Sequence, residues 1–290
     1  MESSSPNGSI LLWAAACLVA FLGARAFVEY FRRANYEGPI VCWRDVLLGA
    51  AALTLGAFGS MSVAITSHGL QFTVGYHPVR LFGAAAAGFL LLAIVLVWVT
   101  FRPGIFGRLG ASIVGALVLL LIQVGVLVSL GAEPGFLWQP LGMGLAAGVS
   151  ILGVIAAGWM VVSPVRGSKQ DRRSRRLLAA LLLGAAIAAA QELVIVASGL
   201  EAQQASSYTH LLPQIAVALL GGGAIPMMLV LMLIDQRAQQ RVRASERRRK
   251  RRVQTEYSGN ESMFFTDSKV EAALAKMPRP TQPMDTANGG

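Results

Sequence analysis

Side chains able to do chemistry are few in this chain, and they concentrate at similar depths. The three histidines, His68, His77 and His210, all fall in two polar stretches, 66–78 and 199–210. With Met61 and Glu201 nearby they offer the imidazole, thioether and carboxylate donors that copper or zinc accepts. Three solvent-facing loop histidines are the plainer alternative. A second group is made of amides and a carboxylate. Gln123, Gln191 and Glu192 stand inside apolar stretches, with Ser60, Met61 and Ser62 at a comparable depth. An ionisable group in such a setting turns towards a polar partner within a bundle. These residues therefore read either as a hydrogen-bonded structural layer or as a proton- or ligand-responsive one. Covalent catalysis lacks its ingredients: there is no glycine-rich phosphate loop ending in Lys-Ser/Thr, no histidine pair four apart and no Ser, His and Asp set. Two lone cysteines, Cys17 and Cys42, make neither a thiolate metal site nor an expected disulfide. The chain reads as a protein that is not an enzyme.

The elements that carry these residues are dictated by hydropathy. Of 290 residues, 54% are hydrophobic and only 14% are charged, where a soluble domain carries about 25%. Seven apolar stretches, 10–29, 46–66, 79–101, 109–130, 139–162, 177–198 and 211–234, are each long enough to cross a hydrocarbon core of about 30 Å. The expected fold is an all-α membrane bundle of seven transmembrane helices. Basic residues alternate between its connections. Arg32, Arg33 and Arg44 follow the first stretch, Arg102 and Arg108 the third, and Arg166, Lys169, Arg172, Arg173, Arg175 and Arg176 the fifth, while the alternate connections hold only Arg80. The positive-inside rule then places residues 1–9 outside and the C-terminus in the cytoplasm, in a multi-pass cytoplasmic membrane protein. Arg25 and Glu29, four apart, read as an intrahelical pair at headgroup level. No lysine falls within 211–234, which excludes a retinal Schiff base there.

The net charge of +10 is concentrated, with a run of basic residues from Arg237 to Arg252 that includes Arg247, Arg248, Arg249, Lys250, Arg251 and Arg252. A juxtamembrane cluster of this kind is drawn to anionic headgroups by about 1 kcal/mol per base. The expected partner is the lipid surface and not nucleic acid. Residues 235–254 read as a basic extension of the last helix, and 255–290, with Pro278, Pro280 and Pro283, as a disordered cytoplasmic tail. Small residues crowd the spans, as in Gly83-Ala84-Ala85-Ala86-Ala87-Gly88 and Gly221-Gly222-Gly223, the latter a place where the last helix could loosen.

Helices two, four and six can be superposed as a repeat. Fifteen residues on from Arg108 and from Arg176 stand Gln123 and Gln191, followed by the similar endings Val128-Ser129-Leu130-Gly131-Ala132-Glu133 and Ala197-Ser198-Gly199-Leu200-Glu201. At the same depth of helix two stands Gly56-Ala57-Phe58-Gly59-Ser60-Met61-Ser62, followed by Tyr76-His77 in the next loop. This layout resembles the MHYT family of bacterial integral membrane sensor domains, in which Met-His-Tyr-Thr recurs near the outer ends of alternate helices. Gly184 to Leu193 is similar to the family's third copy. Met61 matches the motif methionine, whereas Ser62, Gln123 and Gln191 occupy the histidine places. The resemblance covers residues 10 to about 240. It implies a sensory role, and copper as the cofactor that the family's Met and His residues are proposed to hold. Serine and glutamine bind such a metal far more weakly than imidazole does.

The resemblance leads to the expectation of a sensory or accessory membrane protein whose signal passes to a separate partner on the cytoplasmic side. Two other classes share the same composition: a small permease or channel-like bundle with the polar layer around Glu192 lining its path, and a structural subunit of a membrane complex.

Overall fold

Within a bilayer a backbone must satisfy its own hydrogen bonds, and an apolar run does so as a helix. A computed structural model describes residues 6–36, 43–70, 72–101, 104–162, 169–200, 203, 205–223, 226, 229, 230, 233, 234 and 237. Six long helices are α1 (Pro6–Tyr36), α2 (Trp43–Ser67), α3 (Pro78–Phe101), α4 (Ile105–Val128), α5 (Pro140–Val162) and α6 (Lys169–Ser198). A shorter apolar helix, α7, covers Gln214–Gly223. Helices α1 to α6 are each long and apolar enough to cross a membrane, so the chain is an all-helical, multi-pass membrane protein. Four two-residue strands lie between the helices: β1 (Gly75–Tyr76), β2 (Ala132–Glu133), β3 (Ala205–Ser206) and β4 (Leu212–Pro213). The chain divides into units 1–232 and 233–290, and the bundle is the first.

Several boundaries differ from expectation, for physical reasons. Helix α1 already begins at Pro6, inside the expected extracytoplasmic segment, and runs to Tyr36. Helix α6 starts at Lys169, so the basic stretch taken for a connection is about two turns of helix. Hydropathy marks where a helix is apolar, not where its hydrogen bonding stops. The seventh helix begins at Gln214 because Leu212 and Pro213 are drawn into a strand pair. Beyond Gly223 the described positions Pro226, Leu229, Val230, Leu233 and Ile234 are also helical. The expected juxtamembrane helix 235–254 lies outside the described residues except for Arg237, and so do the tail, the run Arg247 to Arg252, Glu201 and Cys42.

Small residues set the packing. A Cβ on Gly23 would lie 2.6 Å from Gly56 Cα, and one on Gly49 would meet Tyr30 at 3.5 Å, so α1 and α2 run antiparallel with backbones nearly touching. Gly142 against Ala197 and Gly153 against Ala186 give the same sense to α5 and α6, as Gly88 against Ile122 and Gly125 against Ala84 do to α3 and α4. Helix α2 is the hub, with 78% of its apolar window buried. It packs on α1, α3, α4 and α6. It also meets α7, where a Cβ on Gly59 would lie 2.5 Å from the Gly221 carbonyl. Gly221 of the triple glycine is therefore a close-packing point, which is the use lipid-embedded helices make of small residues, whereas Gly223 has open space beside it.

Candidate functional site

Helices α2, α4 and α6 end alike. At each C-terminus a serine hydroxyl donates to the carbonyl three residues back: Ser67 to Ala64 at 2.7 Å, Ser129 to Val126 at 2.6 Å and Ser198 to Ile195 at 2.6 Å. Each then turns through a glycine of positive φ, Gly69 (56°), Gly131 (58°) and Gly199 (64°), a conformation that costs glycine little. The shared turn sets a common register. Met61, Gln123 and Gln191 each stand eight residues before their glycine. The turn thus puts Met61, rather than Ser62, level with the two glutamines.

Above these turns, loop segments are joined across the bundle end. Strand β1 pairs with β4 and β2 with β3, both antiparallel, so the segment between α6 and α7 is hydrogen-bonded to the other two loops. Ser206 lies at the junction. It is buried, its Oγ donates to the Leu130 carbonyl at 2.6 Å, and it accepts from the Gly75 amide at 3.4 Å. The Gln203 amide clasps Gly135 in both directions, donating at 3.0 Å and accepting at 3.2 Å. The His77 amide donates to the Ser129 carbonyl at 2.9 Å. We call this the cap end.

Beneath the cap, Met61, Gln123 and Gln191 are almost wholly enclosed, with exposures of 0%, 1% and 0%. Gln123 Nε2 donates to the Ile187 carbonyl of α6 at 3.1 Å, one turn below Gln191, which brings the two amides to adjacent levels. Gln123 Oε1 and both polar atoms of Gln191 have no hydrogen-bond partner among the described residues. Each such atom costs about 1–3 kcal/mol if left unmatched. Tyr76 of β1 is also fully buried, its hydroxyl without a partner among the described residues, and burial pushes its phenol well above the ordinary value. The burial of Tyr76 was not expected from the sequence, although the Tyr-His pair next to Pro78 was visible.

The other expected members go elsewhere. Ser60 and Ser62 donate to the carbonyls of Ala57 and Phe58 in their own helix, at 3.1 and 2.8 Å, which removes their hydroxyls from the layer. Glu192 reaches His68, with Oε2 3.1 Å from Nε2, so it forms a partly exposed clasp between α6 and the end of α2. His77 instead packs its ring edge-on against Tyr208, at 5.1 Å between centroids, and His210 is exposed. The three histidines are not brought together, and among the described residues no group of three His, Cys, Asp or Glu side chains could hold a metal. The copper or zinc expectation gains no support from these positions: His68 meets Glu192, His77 meets Tyr208 and His210 is exposed, while Glu201 lies outside the described residues.

The opposite end is built on charge. Glu29 of α1 pairs with Arg32 at 2.9 Å, Arg33 at 3.7 Å and, across to α6, Arg176 at 3.2 Å. Arg25, the partner expected within the helix, feels the charge of Glu29 but makes none of these close contacts. Between the two ends lies an apolar cavity of about 70 Å³, with Phe31, Leu53, Leu96, Leu119, Val154 and Leu183 in its lining and none of the glutamine layer. No protein-family model matches the chain, and neither the curated proteins nor the solved structures contain a match.

Proposed function

We propose that this membrane protein has a sensory or accessory role, in the manner of a degenerate MHYT-type domain, and performs no catalysis itself. Its responsive site is the buried layer of Gln123 and Gln191 with Met61. The observation that carries this reading is the common register of these three positions, each eight residues before a glycine of positive φ, together with amide atoms left unmatched. A fold that served stability alone would gain by making those positions apolar. Polar groups retained at such a cost fit a small hydrogen-bonding solute or a proton as the stimulus. The turns of α2, α4 and α6 face outward and the arginine end faces the cytoplasm, where a separate signalling partner meets the basic surface and the tail. A bacterial cytoplasmic membrane fits this orientation. The strand-joined cap and the apolar cavity below it favour a closed site over a permeation path.

The test uses full-length protein reconstituted in nanodiscs and screened for thermal stabilisation by small polar solutes, by copper ions and by pH. The expected result is that Gln123→Leu and Gln191→Leu fold with equal or greater stability, by about 1 kcal/mol, yet lose the wild-type response. If both variants keep every response of the wild type, the reading is wrong.

A further inference from the structure

We infer that the apolar cavity inside the bundle takes the free end of a lipid acyl chain. Its walls come from all of α1 to α6, and among the described residues that line it Ser112 of α4 offers the one hydroxyl. A buried water needs roughly two to four polar partners, so this space does not hold one. Left empty, the walls forfeit dispersion contacts that a hydrocarbon occupant restores. The volume of about 70 Å³ is roughly half of the 150 Å³ that admits benzene elsewhere, which gives room for about three carbons. That suits the tip of a chain and excludes a ring or a whole lipid.

Access comes from the α5 side, because the cavity is not sealed. On α5 its lining residues Val154, Gly158 and Val161 are half-buried, as are Ser112 of α4 and Phe27 of α1, whereas Leu53, Leu92 and Leu183 of α2, α3 and α6 are buried. A Cβ on Gly158 would lie 3.8 Å from the Ser112 hydroxyl, so small groups of α4 and α5 face each other at this edge. Helix α5 has 17% of its apolar window buried, the lowest share among the six spans. Leu152 and Trp159 on it are exposed, which puts lipid beside the opening.

Depth selects the tip of the chain. Leu53, Leu92, Leu119 and Leu183 each lie within three residues of the middle of their spans. That level is the centre of a hydrocarbon core about 30 Å thick, where the tails of both leaflets terminate. From there the cavity runs towards the arginine end, as far as Phe31 and Val99. A lipid whose headgroup stays at that surface therefore reaches the opening with its last carbons. The glutamine layer lies apart, beginning at Gln123 one turn beyond Leu119, and the inference does not depend on what that layer senses.

Full-length protein is placed in phosphatidylcholine nanodiscs doped with phosphatidylcholine that carries a diazirine either at the end of one acyl chain or beside its carbonyl. After irradiation, adducts are mapped by peptide mass spectrometry. The expected result is that the chain-end probe labels Leu119 and Leu183, both almost wholly enclosed, and the carbonyl-end probe labels neither. Ala157→Leu adds about three carbons, the room available, and lowers that labelling about tenfold relative to exposed Leu152. Gly115→Ala with Gly158→Ala serves if that variant fails to fold. Their Cβ atoms meet Val95 at 3.6 Å and Ser112 at 3.8 Å, which are ordinary contacts, and labelling falls about threefold. Labelling of Leu119 and Leu183 no higher with the chain-end probe than with the other overturns the proposal, as does labelling unchanged in the filled variants. Stronger labelling by a prenol bearing the diazirine at its chain end overturns the acyl assignment.

Discussion

The two ends of this bundle are held by different forces. At the cap end, strand pairs, serine hydroxyls and a glutamine amide make mainly neutral hydrogen bonds, with carboxylates in two contacts, Ser207 to Glu133 at 2.5 Å and the His68–Glu192 clasp. At the other end, Glu29 gathers guanidiniums from two helices. Neutral bonds are short-ranged and fix geometry, which suits an enclosure over a buried polar layer. Charge pairs are longer-ranged and respond to ions, which suits a surface that meets headgroups or a partner.

The strongest way to break the contrast is Gly75→Val. A Cβ there would lie on the Tyr208 carbonyl, so β1 and β4 cannot both keep their places. A loss of about 3 kcal/mol is expected, at the upper end for overpacking, read as a lowered unfolding midpoint in detergent that does not change with salt. Glu29→Gln should cost less, about 1–2 kcal/mol, because its closest arginine partners, Arg32 and Arg176, are partly exposed and solvent screens them, although Arg33 is buried. Its loss should shrink as salt rises, since screening already weakens the exposed pairs of the wild type. A cap variant that responded to salt as strongly would erase the distinction.

The smallest effect concerns pH. Burial holds the Tyr76 phenol neutral in the folded chain beyond the point where it ionises when unfolded. Its contribution is complete below about pH 10 and declines as pH rises further, because only the unfolded state then releases the proton. Tyr76→Phe should therefore flatten the alkaline fall in stability while changing little at neutral pH. Unfolding at about pH 8 and about pH 10.5 checks this.

Much of the architecture was legible because lipid imposes it. Spans of about 20 apolar residues must become helices, and the six long helices follow the expected order. The levels of Gln123 and Gln191 were legible too, because equal spacing from Arg108 and Arg176 measures the same number of turns. Strands of two residues have no period to detect, so the cap and the role of Ser206 were invisible. The burial of Tyr76 depends on a pairing with Leu212, far along the chain. The Glu29 and Arg176 contact joins residues separated by 147 positions, while nearer Arg25 was the obvious partner on spacing alone. Ser62 misled because a hydroxyl can turn back on its own helix, a choice its position in the sequence does not reveal.

Helix α2 emerges from the ribosome second, yet α6 and the glycine face of α7, two of its neighbours, are synthesised last. Its most apolar stretch also has the lowest mean hydropathy, 1.8, of the six spans. Until the final helix arrives, Gly59 and its surroundings must rest against lipid or an insertion factor. Truncation after α6 should therefore leave α2 poorly retained in the bilayer, making completion of the chain a checkpoint in its biogenesis.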